Sequence, residues 1–176
     1  LAKKAKAICV AYESMDKYFP KEKIILTGNP VRQGLTDVTN LKAEANSFFS
    51  ITNDSKVILV LGGSLGARSI NESILKGIDT IALNKSVTII WQTGKLYIDE
   101  VKGKMKDVKA ENVKVFDFIS RMDLAYAAAD VVISRAGAGT ISELCLVGKA
   151  SILVPSPNVA EDHQTMNAKA LADQNA

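Results

Sequence analysis

A run of small residues, Ser134-Arg135-Ala136-Gly137-Ala138-Gly139-Thr140-Ile141-Ser142-Glu143, separates a predicted strand from a predicted helix. Its two glycines let a ligand approach the backbone closely. Thr140 and Glu143 have the spacing of a capping box, which predicts that the helix begins near Thr140. The first amides of a helix have no partner within the helix and carry partial positive charge, so they favour a phosphate group. A plain strand-to-helix turn of small residues explains the run equally well.

A second loop, Gly62-Gly63-Ser64-Leu65-Gly66-Ala67, also follows an apolar run and precedes a helical pattern. This context is typical of phosphate binding, and Ser64 either donates to a phosphate or only starts the helix. The loop is not a Walker loop, because no Gly-Lys-Ser/Thr follows. It does not fit the dinucleotide fingerprint either, because its glycine spacing differs. The next strand also ends in Trp91-Gln92-Thr93-Gly94, without an acidic residue for a ribose.

Two further positions suit a nucleotide. Asp117-Phe118-Ile119-Ser120 ends another strand, and the backbone of Ile119 can contact the edge of a base. Large apolar residues such as Phe118 and Ile119 are nevertheless more typical of a core. Arg32 follows a rigid turn, Gly28-Asn29-Pro30-Val31, and is either a surface cation or a clamp for a diphosphate.

The segment Pro155–Gln164 leads into the last helical pattern. Asp162, His163 and Gln164 lie in the predicted first turn, near the positive end of the helix dipole, where they can bond the hydroxyls of a sugar. Asp162 can equally be a helix cap. The sequence offers no Ser/His/Asp or Cys/His set, so nucleophilic catalysis has little support.

The segments between these loops alternate between short apolar runs and longer helical patterns. Strands are predicted at 56–61, 87–91, 112–117, 131–134 and 152–154, and helices at 41–49, 66–83, 96–109, 122–129, 140–147 and from 162 onward. Continuous apolar strands are typical of a parallel sheet that is covered on both faces. The predicted fold class is therefore α/β, a Rossmann-like doubly wound parallel sheet with helices on both faces. Ligands of such sheets bind beyond the carboxyl ends of the strands, where all the loops above lie.

The first thirty residues differ from the rest. Short strands are predicted at 7–12 and 24–27, and the turn at Gly28-Asn29-Pro30 can continue neither a helix nor a central strand. We therefore place a domain boundary or hinge there. The chain begins at Leu1 rather than Met, and residues 171–176 resemble an unfinished helix. The expectation is a piece of a longer protein.

Composition excludes several classes of protein. The 176 residues are 47% apolar and 23% charged, which is ordinary for a globular protein. A net charge of +3, without a basic patch interleaved with aromatic residues, argues against nucleic-acid binding. Cys9 and Cys145 lie in apolar or helical runs and are predicted to be small core residues in a reducing compartment. A single histidine argues against a zinc site, and no apolar run approaches the roughly 18 residues of a membrane span.

Taken in order, these loops resemble the MurG family of bacterial N-acetylglucosaminyltransferases, which convert lipid I to lipid II in peptidoglycan synthesis. The resemblance rests on four segments, Thr27–Arg32, Gly62–Ala67, Ser134–Glu143 and Asp162–Gln164 with Asn167-Ala168. Each segment alone is a weak signal. Together their order and approximate spacing match the family over the whole chain.

The resemblance implies a GT-B architecture of two Rossmann-like domains with a cleft between them. Residues 1–28 would end the N-terminal, acceptor-binding domain, and residues 29–176 would form most of the C-terminal domain, which binds UDP-N-acetylglucosamine. Carried over by position, Arg32 and Ser64 would contact the diphosphate, and the backbone of Ile119 would contact uracil. Glu143 would hold the ribose hydroxyls. The residues around phosphate and nucleoside would be Gly137, Ala138, Gly139, Thr140, Ile141 and Ser142. Gln164, with His163, would hold the sugar.

The implied activity is an inverting transfer of N-acetylglucosamine from UDP to the C4 hydroxyl of lipid I. The candidate base would lie in the N-terminal domain, so the chain by itself is expected to be inactive. No metal and no tightly bound cofactor are expected, and no nucleic-acid partner. The whole enzyme would sit peripherally on the cytoplasmic face of the bacterial inner membrane. Alternatives are a related GT-B enzyme with another acceptor, such as a glycolipid synthase or a UDP-sugar epimerase, and a non-catalytic nucleotide-sugar-binding subunit.

Overall fold

The computed structural model describes residues 2–52, 55–157 and 162–173. The chain divides into two compact units, Leu1–Arg32 and Gln33–Ala176. The sequence placed a boundary at Gly28, a few residues earlier. The assignment of the first unit to an acceptor-binding domain stays a prediction.

The first unit contains two short parallel strands, β1 (Ile8–Val10) and β2 (Ile24–Leu26), which pair Ile8 with Ile24. Three 3₁₀ turns surround them, at Ala2–Lys4, Met15–Lys17 and Lys21–Lys23. Both strands are shorter than the patterns at 7–12 and 24–27 predicted. Pro20 precedes the last turn, as expected of a residue that stops one helical turn and starts the next.

The second unit is built on a five-stranded, wholly parallel sheet, which confirms the predicted fold class. Its strands are β3 (Lys56–Leu61), β4 (Val87–Gln92), β5 (Val113–Phe116), β6 (Val131–Ser134) and β7 (Ala150–Leu153), in the spatial order β5-β4-β3-β6-β7. The chain winds outward from β3 to β5, then returns to place β6 on the other side of β3. The strand order therefore reverses between β3 and β6, and ligands of doubly wound sheets bind at such a reversal.

Seven helices connect and cover these strands in the described part of the second unit. They are α1 (Lys42–Phe48), α2 (Arg68–Lys76), α3 (Ile78–Leu83), α4 (Ile98–Met105), α5 (Met122–Ala128), α6 (Ala138–Val147) and α7 (His163–Ala172). The single helix predicted over 66–83 is wrong, because Gly77 separates α2 from α3. Glycine weakens a helix interior, and here its N–H donates to Ile74 O in a tighter turn. Among the described helices, none has the length and apolar character that crossing a membrane requires.

The sheet has a hydrophobic core on each face, because side chains alternate along its strands. On β3, Val57 and Leu59 pack with α1 and α5, in a core completed by Leu124 and Tyr126. Val60 points the other way and packs with Ile70, Ile78 and Trp91, beneath α2, α3 and α4. These two layers of helices are what the continuous apolar strands predicted.

The prediction that both cysteines are core residues is wrong, because Cys9 and Cys145 are exposed. Cys9 lies between Ile8 and the buried Val10 on β1, so the alternation of a strand turns it to the opposite face. Cys145 follows the buried Leu144 on α6, where one residue is a rotation of about 100° away from the core. An apolar neighbourhood in the sequence did not reveal which face each residue takes.

Candidate ligand-binding cleft

A cleft of about 610 Å³ opens at the carboxyl ends of β3 and β6. The register pairs Leu61 with Ser134, so the loops that follow these two strands begin side by side. The cleft is lined by Gly62, Gly63, Ser64, Leu65, Gly66, Ala67, Arg68, Ser69, Glu72, Tyr97, Arg135, Ser156, Pro157 and Gln164. It therefore lies at the strand-order reversal, where the fold class leads us to expect a ligand.

The structure brings some of the predicted site residues to this cleft and leaves others away from its lining. Ser64 and Gln164 line it. Among the described residues, its lining does not include Ile119, His163 or residues 137–143, although Arg135, two residues before Gly137, does belong to it. Arg32 is the last residue of the first compact unit, whereas every other predicted site residue belongs to the second.

The loop between β3 and α2 is held in place by close backbone packing. Gly63 and Gly66 have φ angles of +82° and +98°, which L side chains rarely adopt. A Cβ on Gly66 would overlap Thr93 O and the ring of Tyr97, and a Cβ on Gly94 would overlap the backbone of Gly66. The loop after β4 thus braces the loop after β3, and Lys95 N adds a hydrogen bond to Ser64 O at 3.3 Å.

The helix after β6 begins differently from the prediction. Gly137 is the N-cap of α6 in an extended conformation, with φ −71° and ψ 144°, and no side chain caps the helix. The predicted capping box is wrong, because α6 begins at Ala138 and Thr140 is already inside its first turn. Glu143 Oε2 instead accepts a hydrogen bond from Tyr126 Oη at 3.1 Å.

The fold does not need the two glycines at the start of α6. Gly137 has an ordinary φ, and a Cβ there would have Thr140 Oγ1 at 3.9 Å as its nearest neighbour. A Cβ on Gly139 would meet nothing within 4 Å. The backbone of the first turn is therefore open on the side where a side chain would stand. Its first amides lack partners within the helix, so a ligand can reach them directly.

Arg135 is a fixed cation in the wall of the cleft that the sequence did not single out. Its Nη1 donates to Pro155 O at 2.9 Å and Val154 O at 3.2 Å, and its Nη2 donates to Ser69 Oγ at 2.9 Å. In the parts of the chain that the structure describes, no carboxylate lies within ion-pair distance of it. Burial lowers the pKa of the Arg135 guanidinium from its ordinary value, but arginine still carries its charge at neutral pH. A partly buried cation held by neutral oxygens favours an anion in the cleft.

Ile119 is a core residue, which is one of the two alternatives that the sequence left open, and its contact with a base stays a prediction. Its side chain is buried in the core below α1 and α5, and its backbone N–H donates to Gln92 Oε1 at 2.8 Å. Because Gln92 occupies this N–H, the backbone contact with a base that is predicted for Ile119 would be made through its carbonyl. Sequence reasoning noted Gln92 only as the end of a strand. The signal it offered was a polar residue directly after the apolar run Ile89-Ile90-Trp91.

Helix α7 is bonded to the segment after β7 and to the loop after β6. Ser156 N donates to Gln164 Oε1 at 2.9 Å, and Asn167 Nδ2 donates to Ala136 O at 3.1 Å. Asp162 precedes the helix with a φ of 48°, and its carboxylate accepts from Thr165 Oγ1 rather than from a helix amide. Residues 158–161 of the predicted Pro155–Gln164 segment lie outside the described residues.

Within the described ranges, no group of three or more His, Cys, Asp and Glu residues is arranged to hold a metal ion. Among the described residues, the cationic side chains in the cleft lining are those of Arg135 and Arg68, and Arg68 Nε is paired with Glu72 Oε1 at 2.8 Å. The absence of a metal or cofactor requirement stays a prediction.

Residues 57–176 match the model of the glycosyltransferase family 28 C-terminal domain. This chain belongs to that family. The family 28 match covers the described sheet and the cleft at its carboxyl edge, from β3 through α7. The family agrees with the glycosyltransferase resemblance that the sequence predicted.

Individual relatives agree with the family 28 assignment. The UDP-N-acetylglucosamine--N-acetylmuramyl-(pentapeptide) pyrophosphoryl-undecaprenol N-acetylglucosamine transferase of Parabacteroides distasonis is 56% identical over 176 residues, which are 100% of this chain and 48% of that protein. The protein of the same name from Flavobacterium psychrophilum is 56% identical over 99% of this chain and 46% of its own length. The chain spans about half the length of the curated relatives it matches.

A solved structure extends the likeness to three dimensions. The crystal structure of Acinetobacter baumannii MurG matches with a TM-score of 0.64 at 30% identity, over 96% of this chain and 45% of that chain. The resemblance to the MurG family is therefore confirmed by sequence and by fold. Three of the four segments that suggested it, Gly62–Ala67, Ser134–Glu143 and Asp162–Gln164, contribute residues to the lining of the cleft.

Proposed function

We propose that this chain binds UDP-N-acetylglucosamine and is the donor-binding part of an enzyme that transfers N-acetylglucosamine to lipid I, forming lipid II. The observation that carries the proposal is the position of Arg135 and the open first turn of α6, which follow β6 at the strand-order reversal. Membership of family 28 and the transferase names of the relatives from two organisms support the choice of donor and acceptor.

The diphosphate of the donor is the ligand group for which these features are best suited. The amides at the start of α6 and the guanidinium of Arg135 offer positive charge, and Ser64 offers a hydroxyl donor from the facing loop. We assign Arg32 to the same diphosphate, as the family resemblance implies. Because these groups supply the positive charge, the proposal includes donor binding without a metal and without any other cofactor.

The remaining predicted residues are assigned to the uridine and the sugar. Ile119 lies in the turn assigned to uracil, and Glu143 is assigned to the ribose hydroxyls. Tyr126 Oη holds one oxygen of the Glu143 carboxylate, which orients it. Gln164, which lines the cleft, and His163 are assigned to the N-acetylglucosamine moiety.

In the proposed reaction, negative charge develops on the departing UDP. The C4 hydroxyl of the acceptor attacks the anomeric carbon of the donor sugar, the bond from that carbon to the diphosphate oxygen breaks, and the configuration inverts. The proton of the hydroxyl passes to a base outside this chain. UDP leaves with increased negative charge, which the fixed amides and Arg135 stabilise without having to reorganise.

The acceptor and the membrane are assigned to the rest of the longer protein. Lipid I would bind outside this chain, and the whole enzyme would sit peripherally on the cytoplasmic face of the inner membrane. No nucleic-acid partner is proposed. A glycolipid synthase, a UDP-sugar epimerase or a non-catalytic subunit would share the nucleotide site, so the acceptor distinguishes them from this proposal.

Thermal unfolding of the purified chain tests donor binding. UDP at a hundredfold excess over its dissociation constant should stabilise the chain by about 2.7 kcal/mol, and EDTA should not reduce the effect. ADP at the same concentration is the matched control and should protect less. An unchanged melting temperature in saturating UDP contradicts donor binding, and protection that EDTA removes contradicts metal independence.

Transfer of labelled sugar tests the reaction. The full-length protein should move N-acetylglucosamine from UDP to lipid I, and the 176-residue chain should not. Without the acceptor-binding part, the reactants are not held in reacting geometry. Turnover by the chain alone, or transfer by the full-length protein only to a different acceptor, would contradict the proposal.

A further inference from the structure

Gln92 is a buried glutamine with both ends of its amide bonded to loops rather than to the sheet. It is the last residue of β4 and is 3% exposed. Its Nε2 donates to Gly63 O at 3.0 Å, and its Oε1 accepts from Ile119 N at 2.8 Å. Gly63 belongs to the loop after β3 and Ile119 to the turn after β5. One side chain thus joins the loops that follow the two neighbours of its own strand.

The register of the sheet explains why this position reaches both loops. Gln92 pairs with Leu61 of β3 on one side and with Phe116 of β5 on the other. Those residues are the last of their strands, so the three strands end together. A side chain at the end of the middle strand lies between the loops on either side.

The two loops have different parts in the proposed nucleotide site. The loop with Gly63 carries Ser64, which is assigned to the diphosphate, and the turn with Ile119 is assigned to uracil. A buried amide is costly unless its donor and its acceptor are both bonded. Here both bonds are made, and both go to the backbone of these loops. The amide therefore sets the separation between the two loops.

We propose that Gln92 is a positioning residue that holds the uracil-reading turn at a fixed separation from the diphosphate loop and so gives the site its preference for a uridine nucleotide. This inference rests on the proposed function. A purine holds its pairing edge farther from the ribose than a pyrimidine does. A fixed separation between base-reading backbone and diphosphate loop therefore favours the smaller base.

Calorimetric titration with UDP and with ADP tests the proposal. Gln92→Met keeps the length of the side chain but removes both hydrogen bonds. It should weaken UDP binding by about tenfold or more, the usual effect of losing such bonds at a binding site. The ratio of UDP affinity to ADP affinity should fall with it, because the turn at Ile119 is released.

A second variant removes one of the two hydrogen bonds and keeps the other. Gln92→Glu keeps an oxygen that accepts from Ile119 N but loses the donor to Gly63 O. UDP binding should weaken about threefold or more, while more of the preference for UDP over ADP survives than in Gln92→Met. Because this variant also places a carboxylate at a buried position, its urea unfolding is measured beside UDP binding, and a folded Gln92→Glu decides the matter if Gln92→Met does not fold.

Asn112 provides the matched control, because it is another buried amide that bonds backbone carbonyls. Its Nδ2 donates to the carbonyls of Ile81, Asn84 and Val87 at the amino end of β4, the opposite end from Gln92. Asn112→Leu should lower the urea midpoint of unfolding but leave UDP affinity and the UDP-to-ADP ratio within about twofold of the wild type. Loss of stability by itself therefore does not imitate the effect expected at Gln92.

The outcomes are distinguishable. If both Gln92 variants bind UDP and ADP as the wild type does, Gln92 is not a positioning residue, although the proposed function stands. The proposal also fails if UDP and ADP affinities fall in equal proportion in both variants, because the base preference is then unaffected. If the wild-type chain binds no UDP, the proposed function itself fails, and this inference fails with it.

Discussion

The loops after β3 and after β6 are both rich in glycine and begin side by side, yet the fold uses their glycines for different purposes. After β3, Gly66 has a positive φ and lies against the backbone of the next loop, so the fold itself requires glycine there. After β6, Gly137 has an ordinary backbone conformation, and both Gly137 and Gly139 have room for a side chain. A glycine that the fold does not require is the better sign of space kept for a ligand.

The two loops also differ in their ionisable side chains. The residues from Gly62 to Ala67 carry no ionisable side chain, and their backbone is braced by Gln92 and by Lys95 N. The second loop is bounded by Arg135 and Glu143, and neighbouring residues hold both side chains in place. The first loop is thus mainly a support, and the second carries the charges that a nucleotide would meet.

The largest expected effect is on the stability of the loop after β3. Gly94→Ala would place a Cβ on the backbone of Gly66, at a position with a φ of +84°. The free energy of unfolding should fall by about 3 kcal/mol or more, since backbone must move. Gly63→Ala is the control, because its φ is +82° but its Cβ would meet nothing within 4 Å. It should cost only about 1–2 kcal/mol. Equal losses in urea unfolding would show that packing between the loops is not what requires Gly94.

The next effect concerns the charge at Glu143. Glu143→Gln keeps an oxygen that accepts from Tyr126 Oη, so the free energy of unfolding without ligand should change by less than about 0.5 kcal/mol. UDP binding should weaken by about 1.5–3 kcal/mol, because a carboxylate bonds ribose hydroxyls more strongly than an amide does. Calorimetric titration beside urea unfolding measures both quantities. Equal UDP affinities would mean that Glu143 has a structural role and does not bind the ribose.

Arg135→Lys tests whether Arg135, in the loop after β6, binds the diphosphate. Lysine keeps the charge but loses the planar fork that bonds Val154 O, Pro155 O and Ser69 Oγ. UDP affinity should fall by about 1–1.5 kcal/mol, close to tenfold. Uridine, which lacks phosphate, is the control ligand, and its affinity should not change. A parallel loss for uridine would mean that Arg135 acts through the shape of the loops and not through the diphosphate.

The smallest effect is a gain in stability. Gly139→Ala adds a methyl group in the first turn of α6, where nothing obstructs it, so the free energy of unfolding should rise by about 0.5–1 kcal/mol. UDP affinity should nevertheless fall severalfold, because the methyl group stands where the diphosphate approaches. Gly103→Ala in α4 is the matched control, since a Cβ there also meets nothing within 4 Å. It should stabilise the chain equally and leave UDP affinity unchanged. If Gly139→Ala also binds UDP normally, the open space at α6 is not the ligand site.

Much of the secondary structure was predictable, and the errors have local causes. The apolar runs located β3, β4 and β6 closely, and α6 ends at Val147, where the helix predicted at 140–147 also ends, with Gly148 as its cap at a φ of +62°. The start of α6 was misplaced, because Gly137 caps the helix through its backbone conformation and leaves no signal in a side chain. The break at Gly77 was missed for a related reason. Glycine in a helical pattern is often tolerated, and only the packing of α2 and α3 against the sheet decides.

The sequence by itself determined the parallel α/β fold, the order of the loops and the family, because apolar runs and glycine positions are local properties of the chain. Only the tertiary structure showed that Gln92 bonds Gly63 and Ile119, and that Arg135 bonds the backbone after β7. The bonded residues lie 19 or more positions apart in the sequence, and Gln92 and Ile119 lie 27 positions apart. Hydrogen bonds between such distant residues depend on strand order and register, which bring the ends of β3, β4, β5 and β6 to one edge. No pattern within a single segment carries that information.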